Sequence, residues 1–152
     1  MFCKGWHELP IASFELAKNE SVSRMMPWQR LIFCFCGMGG CLAVMLAALG
    51  AHLPDHAFIA GGRVMLSRGV EMLIWHVLAL LALAVSGLPI MRWVALPMGA
   101  GALVFTLSVT SLALHGPDIA FLAPFGGTLT MLSWLGLTVI GCLAHRFRRE
   151  TR

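Results

Sequence analysis

Charge is what this chain has least of. Only 12% of its 152 residues are Asp, Glu, Lys or Arg, against about a quarter in an ordinary soluble domain. So few charges cannot cover a water-facing surface, which excludes a freely soluble globular protein. The scarcity is also uneven, because charged side chains are absent from 31–54, 72–91, 93–117 and 119–145. A bilayer core about 30 Å thick needs roughly 20 residues of helix, and each window supplies them. Lipid offers the backbone no hydrogen-bond partners, so helices are the spanning form for segments this apolar. The composition therefore predicts an all-α membrane protein with four transmembrane helices in an up-down bundle, at about 31–53, 70–91, 93–116 and 119–145.

Other absences narrow the function. The five cysteines, Cys3, Cys34, Cys36, Cys41 and Cys142, contain no CxxC pair. Cys34-Phe-Cys36 is then a poor zinc or redox site and reads as soft packing residues in a helix. The opening residues do not resemble a secretory signal, since Glu8, Glu15, Lys18, Glu20 and Arg24 precede the first apolar run. Residues 1–27 are expected to form a cytoplasmic tail, or an interfacial helix with Ile11, Phe14 and Ala17 on one face. Met25-Met26 leaves a second translation start open. No nucleophile–base pair is present, so an enzyme is not expected, and no helix carries a ligand-spacing motif, so no cofactor is predicted.

The charges that do occur sit at the ends of the apolar runs, and they orient helices instead of forming a nucleic-acid surface, despite a net charge of +4. Lys4, Lys18, Arg24 and Arg30 precede the first span, Arg92 separates the second from the third, and Arg146, Arg148, Arg149 and Arg152 follow the fourth. These nine oppose only Arg63 and Arg68 in the loop between the first two spans. The positive-inside rule predicts both termini in the cytoplasm, with Arg30, Arg92, Arg146, Arg148 and Arg149 anchoring at the membrane surface and contacting lipid headgroups. A bacterial inner membrane is the expected location.

Two stretches look alike. Leu49-Gly50-Ala51-His52-Leu53-Pro54-Asp55-His56-Ala57-Phe58 is echoed by Leu112-Ala113-Leu114-His115-Gly116-Pro117-Asp118-Ile119-Ala120-Phe121, with Leu, His, Pro, Asp, Ala and Phe in register. Each follows an apolar run, and Pro-Asp there reads as a helix start, because Pro suits the first turn and a carboxylate suits the positive helix end. A real duplication would relate the first two spans to the last two by a pseudo-two-fold axis along the membrane normal, setting His52 opposite His115. On the first span, Cys34, Gly37, Cys41, Ala48 and His52 share one face, whose small side chains predict close approach of a second helix. In the second span Arg68, Glu71 or Met72, and His76 fall along one side, and an ionisable residue at the depth of His76 is a functional candidate. Ser108, Ser111 and His115 share a face of the third span. The fourth is interrupted by Pro124-Phe125-Gly126-Gly127, where proline is expected to bend or delay the helix.

Several of these residues together resemble the family of small inner-membrane proteins known as domain of unknown function 423, which includes a mitochondrial transmembrane relative. The resemblance rests on Gly50-Ala51-His52, His76-Val77-Leu78-Ala79-Leu80-Leu81, Phe105 to Ser108, Pro124-Phe125-Gly126-Gly127 and Trp134, and covers roughly 28–143. It implies a four-helix membrane fold with no established activity. The chain departs from the family pattern in its long N-terminal extension, in Trp75 where a tyrosine-rich lead-in is expected, and in His115 where a Thr-Gly turn is more usual.

The polar cluster His76, Glu71, Arg68, His52 and His115 supports three readings. The first is capping and interhelical hydrogen bonding; the second is a haem or divalent-metal site through His76 with His52 or His115; the third is a proton or small-solute path along His76, Glu71 and Arg68. The corresponding functions are an interaction or assembly component that accompanies a larger membrane complex or its own copies, and a ligand-binding or carrier protein.

Overall fold

The computed structural model describes residues 25–150, and side chains over 25–143. The expected tail or interfacial helix lies, up to residue 24, outside the described residues, as do the side chains of Arg146, Arg148 and Arg149. Four long helices make up the described residues: α1 (Pro27–His52), α2 (Gly62–Val85), α3 (Arg92–Ala113) and α4 (Ala123–Glu150). Single 3-10 turns stand at Asp55–Ala57, Pro89–Met91 and Ala120–Leu122. The four long helical segments are each apolar and long enough to cross a membrane, and no strand occurs among the described residues.

Successive helices run antiparallel, and side chains fasten their ends. Pro27 sets the first turn of α1. Gln29 Oε1 accepts the Met26 backbone N–H at 2.9 Å while its Nε2 donates to Ala84 O at 2.8 Å. The start of α1 is thereby tied to the end of α2. Each helix packs chiefly on its neighbours in the chain. The third span is the central one, with 44% of its most apolar window buried against 17% for the fourth. Two apolar clusters fill the interior: one around Trp28, Ile32, Leu80 and Met98, the other around Ala43, Leu66, Leu73 and Ala113 at the opposite end.

α1 buries Trp28, Ile32, Cys36, Gly39, Ala43 and Leu46, a stripe at spacings of three and four. The expected small-residue face is a different one. Cys34, Gly37, Cys41, Ala48 and His52 are all exposed, and nothing lies within 4 Å of a Cβ built on Gly37. Larger apolar side chains claim the packing face, and Gly39 alone supplies the close approach there: its Cβ would sit 2.9 Å from Val77 Cγ2. Small size permits contact on either face, but burial of apolar area selects which one is used.

α2 begins at Gly62, well before the second charge-free window, so part of the predicted outer loop is helical. Charge limits what lipid can cover, not what can coil: Arg68 and Glu71 pair within this first stretch, and Arg63 pairs with Asp55 of the loop before it. At the other joint, glycines bring α3 and α4 into backbone contact. A Cβ on Gly101 would lie 2.7 Å from Gly126 O, and one on Gly126 would lie 2.6 Å from Phe105 N. Pro124 falls in the opening turn of α4, directly after the 3-10 turn, so it delays that helix and does not break it. Asp118 stands in a bend ahead of both and caps neither.

Candidate functional site

His76 is the one buried histidine among the described residues, 6% exposed. α2 turns it toward α4. Its Nδ1 lies 2.6 Å from Met72 O, and the indole Nε1 of Trp134 lies 3.2 Å from its Nε2. A carbonyl only accepts and an indole N–H only donates. Nδ1 therefore carries the proton and donates to Met72, while the Nε2 lone pair accepts from Trp134. The two rings meet edge to face, 6.1 Å apart at 68°. Both ring nitrogens are occupied by the protein itself, and α2 is joined to α4 through this one polar contact.

The remaining candidates lie elsewhere. Arg68 Nη1 donates to Glu71 Oε2 at 2.8 Å on an exposed turn, and Glu71 faces a groove between α1 and α2. No hydrogen bond joins either to His76 among the described residues. His52 is exposed in the last turn of α1. His115 is exposed just past α3, with φ 54°. Among the described residues no group of three or more His, Cys, Asp or Glu side chains could hold a metal ion. The hydroxyls of the third and fourth helices mostly bond back within their own helix: Ser108 to Val104 O at 2.7 Å, Ser133 to Leu129 O at 2.8 Å. Thr106 is different, donating across to Gly69 O of α2 at 3.1 Å.

Sequence reasoning missed a residue with several partners, Arg63. Its guanidinium donates to Gly50 O, to Leu53 O at 2.8 Å and to Asp55 Oδ1 at 2.8 Å, and it stacks over the Phe58 ring at 4.7 Å. Gly50 and Leu53 end α1, where carbonyls lack helical partners. A cation is also favoured there by the helix dipole. The same loop reaches α3, because Ile59 N–H donates to Ala113 O at 3.1 Å. Gly62 makes that approach possible, since a Cβ there would fall 2.6 Å from Ala113 O. The first loop is thus a clasp over the ends of α1 and α3. Its signal in the sequence was an Asp and an Arg eight positions apart in an otherwise apolar loop.

Four apolar antiparallel helices with a closed polar interior define a multi-pass integral membrane protein. The chain belongs to the family described as "Protein of unknown function (DUF423)", whose model matches residues 46–127. That span runs from the last turns of α1 into the opening turns of α4, so it contains Arg63 and His76 but stops short of Trp134. The chain is 32% identical over 104 residues to the UPF0382 membrane protein of Haemophilus influenzae, covering 66% of this chain and 84% of that one. It is 29% identical over 126 residues to the UPF0382 inner membrane protein YgdD of Escherichia coli K12, covering 80% and 94%. No solved structure matches it. The protein is accordingly an inner-membrane protein of unestablished activity.

Proposed function

We propose that the protein is an interaction or assembly component of the inner membrane, a helical unit that accompanies a larger membrane complex or its own copies, without catalysis or a cofactor of its own. The observation that carries this reading is the His76–Trp134 contact. A ligand-binding or carrier protein needs a buried imidazole whose lone pair is open to a metal, haem iron or a moving proton. Here that lone pair accepts from Trp134 at 3.2 Å while Nδ1 donates to Met72, which suits a joint between helices. The topology we propose has both termini in the cytoplasm, placing the clasp outside.

Affinity purification from native membrane in mild detergent tests the reading. The expected result is a stoichiometric membrane partner or a homo-oligomer, with no Soret absorbance and no bound metal by elemental analysis. A monomer carrying haem or metal, or one driving proteoliposome flux that falls in His76→Ala, would overturn it. Trp134→Phe separates the alternatives further: a joint predicts loss of stability, whereas a ligand site predicts tighter metal binding once Nε2 is released. Reporter fusions after residue 152 and within 53–61 read the topology independently.

A further inference from the structure

A groove of about 290 Å³ opens between α1 and α2 beside the clasp. Leu46, Leu66 and Val70 form its apolar wall, and Arg63, Ser67 and Glu71 its polar one. It straddles the boundary where the charge-free window of α2 begins at Met72, the level at which a lipid passes from acyl chain to headgroup. Its volume lies at the low end of small-molecule sites, which suits a headgroup and glycerol with the chains left in the bilayer.

The charges beside the groove come as two ion pairs, Arg63–Asp55 and Arg68–Glu71, each 2.8 Å apart. Their sum is zero, so the rim offers no net attraction to an anionic lipid. Glu71 uses Oε2 for Arg68, and a carboxylate has acceptor capacity on its second oxygen as well. Ser67 stands one turn before it on the same wall. Arg68 gives Glu71 one N–H of its five and is 72% exposed. Glu71 in the groove wall and Arg68 bonded to it just outside the lining thus present acceptor and donor next to each other, in the arrangement that a zwitterion with an N–H-bearing cation and a phosphate complements.

We propose that this groove binds a zwitterionic amine phospholipid, of the phosphatidylethanolamine class, with its ammonium on Glu71 and Ser67, its phosphate on Arg68 and its acyl chains along Leu46, Leu66 and Val70. The inference is independent of the assembly reading. Its test is native mass spectrometry of the full chain in detergent, titrated with phosphatidylethanolamine, phosphatidylcholine and phosphatidylglycerol of identical chains. Phosphatidylcholine keeps the charge but has no ammonium N–H, so it isolates the hydrogen bond to Glu71. The expected order is ethanolamine tightest, with Glu71→Gln weakening it about tenfold, the size of one charge-assisted hydrogen bond, and weakening phosphatidylcholine, which loses only the charge attraction, several-fold less. Ser67→Leu, which fills the groove from an exposed position, is expected to weaken all headgroups without lowering the melting temperature. Equal retention of the three lipids, preference for phosphatidylglycerol, or ethanolamine binding unaltered in both variants would overturn the proposal.

Discussion

The two loops that look alike in sequence close their helices by different means. In the first, α1 leaves with Leu53 in extended conformation, and its terminal carbonyls are met by Arg63 from the next helix. In the second, α3 wraps back on itself. His115 takes the left-handed conformation, and Gly116 N–H returns to Ser111 O at 2.7 Å, the six-to-one bond of a Schellman turn. Ser111 Oγ and Ile119 N–H both donate to Pro117 O, at 2.7 and 2.8 Å. The aromatic residues follow suit: Phe58 is 8% exposed beneath Arg63, whereas Phe121 is 64% exposed. The first loop hydrogen-bonds to the ends of two helices, whereas the hydrogen bonds that close the second turn stay within α3 and the turn itself. Similar residues therefore do not amount to similar structure when a single extra partner, here Arg63, decides where the chain goes.

The largest break in this contrast is expected from Arg63→Ala. It removes three hydrogen bonds, two of them from carbonyls that end a helix, and should cost about 2–4 kcal/mol. Thermal unfolding in detergent would show a clear fall in melting temperature. Arg63→Lys should recover only part of it, because an ammonium cannot present the planar fork that reaches three acceptors. A full recovery by Lys would reduce the clasp to simple charge. Next in size is Gly62→Ala, where a Cβ at 2.6 Å from Ala113 O must lift the loop off α3. A loss of about 1–3 kcal/mol is expected, as for overpacking elsewhere. Exchange of the Ile59 amide, measured by mass spectrometry, should accelerate in the same variant, and an unchanged rate would mean that the loop docks by other contacts.

Most of the fold was legible because it follows from hydropathy alone: long uncharged windows can only be helices in lipid. Much of the site was not, and the reasons are specific. Helical spacing put Arg68, Glu71 or Met72, and His76 on one side, yet the contact that matters for His76 is with Met72's carbonyl and with Trp134, 58 positions away. Periodicity within a helix cannot reveal which neighbour faces it. The small-residue stripe of α1 had the right chemistry for close packing, but a competing face with more apolar area took the interior. The sequence shows the charge of Arg63, whereas its effect comes from geometry, a fork placed over the end of a helix it does not belong to. What could be read at these positions was the residue type; what could not was its partner.

The smallest effect is the sharpest test of the comparison, because it is one of sign. His115 holds φ at 54°, a conformation that glycine adopts freely and a side chain adopts at about 1 kcal/mol or more. His115→Gly should therefore stabilise the protein by about 0.5–1 kcal/mol, raising the melting temperature slightly. His52 occupies the matching sequence position but lies within the final turn of α1, where glycine only adds freedom to the unfolded chain. His52→Gly should lower stability by a similar amount. If the two loops were structural copies, the substitutions would move the melting temperature in the same direction. Opposite shifts would establish that the resemblance ends at the residue names.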